Sequence, residues 1–203
     1  MLGENLELRR GTADDAAFLA HIVNIVSEGV TEALLGNALP GLSAEKALEM
    51  VFRRGEAPYA PENVLLVEEE GRVLGLLFSY DAVLQKVPAV MTGFLGEKRV
   101  GPFRPLLEAS VPDALWVNTL WVSEEARGLG LGTLLLNLAE DTALEQGKTA
   151  VALHCFADNA GGMRLYEKFG FVQEGRIPSA PVLADRHPQG GVLWVKRLSE
   201  SAS

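Results

Sequence analysis

An apolar run that ends at three alternating glycines and restarts as a leucine-rich segment constrains this chain more than any other feature. Residues Ala114 to Val122, ALWVNTLWV, are nearly all apolar, aromatic or β-branched and predict a buried strand. Arg127-Gly-Leu-Gly-Leu-Gly132 follows. A helix is predicted from about Gly130 to Gln146, with Leu134, Leu135, Leu138 and Ala139 inward and Gly147 as its stop. The glycines remove three side chains from one short arc, so backbone N–H groups there can approach a phosphate. The first helical turn adds N–H donors without intrahelical acceptors and the positive end of the helix dipole. Strand-to-helix anion sites work this way. Arg127 adds a charge-assisted contact or covers the turn. The spacing is neither the dinucleotide G-x-G-x-x-G nor a Walker loop, which needs a lysine after its last glycine. The plainer alternative is a turn whose glycines only let strand and helix pack.

The rest of the chain reads as mixed α/β. Asn5 to Arg10 alternate like a strand, and Thr12 with Asp15 forms a helix-start signature. Phe18, Leu19, Ile22, Val23 and Val26 then recur at helical spacing. Ser43 predicts a second helix through Phe52, with Ala47, Leu48, Val51 and Phe52 as its apolar face. Asn63–Glu69 and Arg72–Tyr80 predict a hairpin about Glu70-Gly71. Residues 81–112 carry prolines at 88, 102, 105 and 112, which argue against a long helix or central strand there. Thr149–Phe156 is strand-like, Asp158 or Asn159 opens a short helix ending near Phe169, and Phe171–Ile177 and Gly191–Leu198 close the sheet.

Cys155 is the single cysteine, so no internal disulfide is possible and a reducing cytoplasm is the expected compartment. The first residues hold no signal-peptide run, and no stretch approaches the roughly 18 apolar residues of a membrane span. The net charge of −9, with basic residues only in short pairs, argues against nucleic acid and anionic membranes as partners. His21 and His187 stand isolated and show no metal-site spacing, so no metal is expected. Cys155 reads as a small buried apolar residue, and Glu68-Glu-Glu70 as a solvated hairpin end.

The stretch Leu120-Trp-Val-Ser-Glu-Glu-Ala-Arg-Gly-Leu-Gly-Leu-Gly-Thr133 resembles the coenzyme-A-binding motif of the GNAT family of N-acetyltransferases, an apolar strand and a short acidic turn followed by R/Q-x-x-G-x-G/A. Asn159-Ala-Gly-Gly-Met-Arg-Leu-Tyr-Glu-Lys-Phe-Gly-Phe171 resembles the family's second signature, N-x-x-A-x-x-L-Y-x-K-x-G-F, with Gly162 where alanine is usual. The likeness runs from about Leu6 to Leu198, omitting 81–112. It implies a GNAT fold: a mixed central sheet of about six to seven strands, about four flanking helices, and splayed fourth and fifth strands. It also implies a single domain over 1–203 with an irregular insertion at about 81–112, often paired as a homodimer. The activity implied is transfer of an acetyl group from acetyl-CoA to a primary amine, by direct attack in a ternary complex. The alternative is a non-catalytic acyl-CoA-binding or regulatory module on the same fold, since fold does not fix function. A third reading keeps the enzyme and changes the donor to another acyl-CoA.

The resemblance assigns roles. Arg127, Gly128, Leu129, Gly130, Leu131, Gly132 and Thr133 would hold the pyrophosphate, backbone at Leu120, Trp121 and Val122 the pantetheine arm, and Asn159 would hydrogen-bond that arm or cap its helix. The amine must lose a proton and the leaving thiolate must gain one. Tyr166 stands where many relatives carry the tyrosine that protonates the sulfur; the alternative is a tyrosine that only packs. Some relatives place a glutamate base twelve residues earlier, where this chain has His154. Val151, Leu153 and Cys155 share one strand face, which predicts that His154 points to the other. An ordinary histidine base would place the acid limb of kcat/KM near pH ~6–7. The rivals for the base are a water chain and the 81–112 loop.

Overall fold

The computed structural model of the protein describes residues 5–198. Its strands are β1 (Leu6–Arg10), β2 (Val64–Glu69), β3 (Arg72–Asp81), β4 (Ala114–Val122), β5 (Ala150–Phe156), β6 (Val172–Ile177) and β7 (Gly191–Arg197). Its helices are α1 (Ala16–Val26), α2 (Val30–Leu35), α3 (Ala44–Arg54), α4 (Ala89–Leu95), α5 (Glu97–Val100), α6 (Arg104–Leu107), α7 (Leu131–Glu145) and α8 (Ala160–Phe169). The strands form one mixed sheet of order β1-β2-β3-β4-β5-β7-β6, in which β4 and β5 are parallel. The four helices expected from the sequence are α1, α3, α7 and α8. The described residues contain four more, α2, α4, α5 and α6, none longer than 7 residues. Such short helices carry too few turns to show an apolar period in sequence. No helix among the described residues is long and apolar enough to cross a membrane.

By packing, the chain divides into two units. The first holds residues up to Ser79 together with Asn118–Leu135. In it β1, β2 and β3 pair antiparallel, and the β2–β3 turn places Glu70 at φ 51° and Gly71 at φ 75°. Two successive left-handed residues are what a tight hairpin requires. Arg9 on β1 donates to Glu68 at 2.9 Å and to Asp15 at 2.8 Å. The Arg9 guanidinium holds the Asp15 carboxyl down at about 2. Glu68 therefore anchors a strand pair and is not the solvated hairpin end its acidic neighbours suggested. Asp15 also accepts the backbone N–H of Thr12 at 2.8 Å, completing the expected helix start.

Ser43 caps α3 by accepting the Lys46 N–H at 3.1 Å. The buried face of α3 is Ala44, Leu48, Glu49 and Phe52, so it is rotated from the predicted one; Val51 is 36% exposed. Leu48 and Phe52 are common to both faces, with Phe52 joining Tyr59 and Phe78 in a cluster with centroids 5.5–5.7 Å apart, while Ala44 and Glu49 take the places expected for Ala47 and Val51. Glu49 tolerates burial because Lys46 at 2.7 Å and Arg53 at 2.9 Å neutralise it.

The second unit holds Tyr80–Val117 and the chain from Leu136 onward. Here the proline-rich segment is not irregular throughout. Pro88 caps α4, Pro102 lies within a single 3-10 turn (Gly101–Phe103), and Pro105 lies in the first turn of α6. Proline is tolerated at those positions because the first turn has no intrahelical use for its missing N–H. The core of this unit centres on Trp116, Val151, Leu153, Val192 and Trp194. β5 pairs along its whole length with β7, from Ala150↔Arg197 to Phe156↔Gly191. Its ladder with β4 covers only Ala114↔Ala150, Leu115↔Val151 and Trp116↔Ala152, so the β4-side edge of β5 from Leu153 onward lies beyond that ladder.

Candidate active site

The sequence candidates fall into two groups, one in each unit. The first group begins on β4, where Leu120, Trp121 and Val122 are half-buried and Trp121 meets Phe18 of α1 edge to face at 6.0 Å. The Ser123 N–H donates to the Leu74 carbonyl at 2.9 Å, tying the end of β4 to β3. A single 3-10 turn, Glu124–Ala126, then leads to Arg127.

Gly128 has φ 75° and Gly130 φ 94°, and a Cβ added to either would meet nothing within 4 Å. Glycine is therefore required by the left-handed backbone and not by crowding. The space beside both backbones is open, as an approaching phosphate needs. Arg127 is exposed; its Nε donates to the Val122 carbonyl at 3.4 Å and its guanidinium lies 3.8 Å from Glu124. It folds back over the turn as a mobile-length arm can.

The helix after the turn is placed by a feature the sequence reading missed. Gly75 on β3 has no side chain where Leu131 and Leu135 lie; a Cβ there would come within 3.1 Å of Leu131 Cδ2 and 3.3 Å of Leu135 Cδ1. The start of α7 is thereby seated closely on β3. Leu131, Leu135, Ala139 and Ala143 form its fully buried stripe with Leu136, whereas Leu134 and Leu138 are only half-buried. The helix is thus turned from the predicted orientation. Thr133, in its first turn, is exposed.

The second group lies on β5 and α8. Asn159 is the N-cap of α8; its side-chain oxygen accepts the Gly162 N–H at 2.9 Å. Tyr166 is 9% exposed and packs with Phe171 at 5.9 Å and Trp194 at 6.1 Å between ring centroids. Gly162 makes room for both: a Cβ at that position would stand 3.1 Å from Asn159 Oδ1 and 3.3 Å from Tyr166 Cε2. The alanine usual in the motif would press on the cap and the ring together, so this departure links the two candidate residues.

His154 differs from expectation. Its neighbours on both faces of β5 are buried, Ala152 and Phe156 as well as Val151, Leu153 and Cys155, so alternation does not mark an open face. The His154 ring meets Trp116 edge to face at 5.5 Å. Loss of water around it pushes its pKa down to about 4, although an edge of the ring remains accessible. His154 is thus neutral throughout the neutral range. Any acid limb it causes lies near pH 4, not at the pH ~6–7 of an ordinary imidazole.

The depressed value also enters stability. Above the ordinary histidine pKa, neither folded nor unfolded chain binds this proton. As pH falls from there towards 4, the unfolded chain takes a proton that the fold refuses, and stability drops by up to ~1.4 kcal/mol per pH unit. His154→Gln should therefore lose less Tm than the parent between pH 6.5 and 4.5, by several degrees. In the parent, kcat/KM for a low-pKa amine should show no limb centred near pH 6.5 that disappears in the variant. Parallel Tm–pH curves, or such a limb, would contradict the depressed pKa.

The two histidines expected to stand isolated both have partners. His21 Nδ1 contacts Glu45 at 3.1 Å on the surface. His187 is not isolated: its ring is 2% exposed and its Nδ1 lies 2.9 and 3.0 Å from the two carboxylate oxygens of Asp158. A pair 29 residues apart leaves no local pattern to find. Cys155 is buried, as its type suggested.

Residues 39–171 match the Acetyltransferase (GNAT) family. A mycothiol acetyltransferase of Paenarthrobacter aurescens is 34% identical over 126 residues, which are 62% of this chain and 32% of that protein; the chain thus spans about a third of that relative's length. An N-acetyltransferase from Staphylococcus aureus superposes with a TM-score of 0.67 at 18% identity, covering 95% of this chain and all of that one. The Salmonella typhimurium protein yncA, solved with its cofactor acetyl-CoA, superposes with a TM-score of 0.55 at 19% identity over 98% of both chains. At those identities the solved structures establish the fold. With the family match over most of its length, and with both signature segments folded as strand–turn–helix and capped helix, this chain belongs to the GNAT family of acetyltransferases.

Proposed function

We propose that the protein transfers the acetyl group of acetyl-CoA to a primary amine by direct attack in a ternary complex. The observation that carries this reading is the turn at Arg127–Gly132, with left-handed backbone at Gly128 and Gly130 and open space beside both. In the proposed complex the pyrophosphate rests on the N–H groups of this turn and of Leu131–Thr133. The pantetheine arm pairs with backbone at Leu120–Val122 in the manner of an added strand. Asn159 contacts the arm, and Tyr166 donates the proton that the thiolate takes as it leaves. Acetyl-CoA supplies the activated acyl group; the chain supplies position, oxyanion stabilisation and proton transfer. The low basicity of His154 favours a water chain or the 81–112 segment over His154 as the group that takes the ammonium proton.

That same low basicity favours one second reading, a module that binds acyl-CoA without turnover. Thiol release separates the two. The assay uses acetyl-, propionyl- and succinyl-CoA against amino acids, polyamines, peptide N-termini and a mycothiol-type acceptor, the last because of the likeness to a mycothiol acetyltransferase. Turnover with acetyl-CoA and any amine supports transfer. Tight binding with no turnover on every acceptor supports the module, and preference for a longer acyl group shifts the donor.

A further inference from the structure

We propose that His187 and Asp158 form a positioning device for Asn159, and that through Asn159 they set the affinity for the acyl donor. The inference rests on the reading of Asn159 as a contact to the pantetheine arm. It starts from the segment between β6 and β7, which returns to the corner between β5 and α8 and grips three consecutive residues there. The His187 ring stacks on Phe156, 3.6 Å between centroids and 5° from parallel. The Ala157 N–H donates to the Gly190 carbonyl at 2.9 Å. Asp158 holds His187 Nδ1 with both carboxylate oxygens. The next residue is Asn159.

Each grip uses a different kind of contact, so the corner is defined in position and in rotation. The stack fixes the plane of the imidazole, and an ionised carboxylate against Nδ1 places the proton on that nitrogen, which then donates. The loop holds the histidine in turn: its N–H donates to the Leu183 carbonyl at 2.7 Å and its carbonyl accepts the Gly190 N–H at 3.0 Å. On the other side of Asp158, the Asn159 N–H donates to the Phe156 carbonyl at 3.0 Å, and the Ala160 N–H to the Asp158 carbonyl at 2.9 Å. The Asn159 side chain is directed by the bond it accepts from the Gly162 N–H, and residues 156–158, which His187 braces from outside through Asp158, set where its backbone stands. Burial adds weight: the ring is 2% exposed, so water competes poorly for its bond to Asp158. A purely structural pair would stabilise the loop without regard to Asn159.

A double-mutant cycle on acetyl-CoA binding distinguishes the two. Acetyl-CoA is titrated calorimetrically into the parent, His187→Phe, Asn159→Ala and the double variant. His187→Phe keeps an aromatic ring on Phe156 and removes the donor. It should raise the Kd of acetyl-CoA about tenfold in the parent background and less than about twofold beside Asn159→Ala. At saturating acetyl-CoA, kcat should change little, so the effect sits in KM. His187→Asn, whose side-chain amide can still donate to Asp158, should recover most of the affinity. Equal factors in both backgrounds, or no weakening, would overturn the inference. If His187→Phe does not fold, Asp158→Ala, altering a side chain that is 41% exposed, carries the same cycle with the same expected factors. The parent and Asn159→Ala are measured first. A parent that does not bind acetyl-CoA would sink the proposed function, whereas an Asn159→Ala that binds as the parent does would overturn this inference alone.

Discussion

Gly130→Asp should bind acetyl-CoA at least tenfold more weakly than the parent, a loss of about 1.4 kcal/mol or more. Two effects add. The new carboxylate sits on the arc of N–H groups proposed to receive the pyrophosphate, so like charges meet where the helix dipole would otherwise favour an anion. The backbone is also left-handed, with φ 94°, a conformation that costs a residue with a Cβ about 1–3 kcal/mol to hold. Relaxing that strain moves N–H groups away from the ligand. The Cβ itself meets nothing within 4 Å, so the fold should survive the substitution. Gly130→Ala separates the effects, because it keeps the strain and omits the charge; it should weaken binding less. Calorimetric titration of folded variants checks this, and an unchanged Kd for Gly130→Asp would remove the turn from the donor site.

Tyr166→Phe should lower kcat by roughly 10²-fold or more while leaving the Kd of acetyl-CoA within about twofold. The ring is packed against Phe171 and Trp194 and is 9% exposed, so phenylalanine keeps the packing and loses only the hydroxyl. A phenol whose ordinary pKa is ~10 matches a thiolate leaving group of similar basicity, which is the condition for efficient general-acid catalysis. Without that proton the thiolate must leave charged or wait for water. Single-turnover rates at saturating acetyl-CoA, beside an equilibrium Kd, separate chemistry from binding. Equal rates in variant and parent would reduce Tyr166 to a packing residue. A rate loss that came with an equal loss of affinity would place the hydroxyl in binding.

What local chemistry dictates was legible in the residues. Ser43, Thr12 with Asp15, and Asn159 mark helix starts because side-chain oxygens satisfy N–H groups a few residues away. Glu70-Gly71 marks a hairpin because that turn needs left-handed backbone. The strand, glycine turn and helix at 114–145 were readable for the same reason, and so was the mixed α/β order. These signals span few residues, and their energies do not depend on distant chain.

Tertiary structure decided what depends on partners far away in sequence. The face of α3 turned from prediction with Glu49 buried beside Lys46 and Arg53, and that of α7 because Gly75 on β3 opened a seat for Leu131 and Leu135. Hydrophobic period alone fixes a stripe only to within a residue or so, and close packing chooses within it. The basicity of His154 was set by burial on both strand faces, which no alternation pattern encodes. His187 became the partner of Asp158 only when the β6–β7 segment folded back on the β5–α8 corner. Sequence alone thus determined where the backbone turns left-handed ahead of α7 and where a tyrosine stood in its motif. Folding determined how charged, how buried and how firmly held the neighbouring side chains are, because those properties are sums over atoms that the linear order keeps apart.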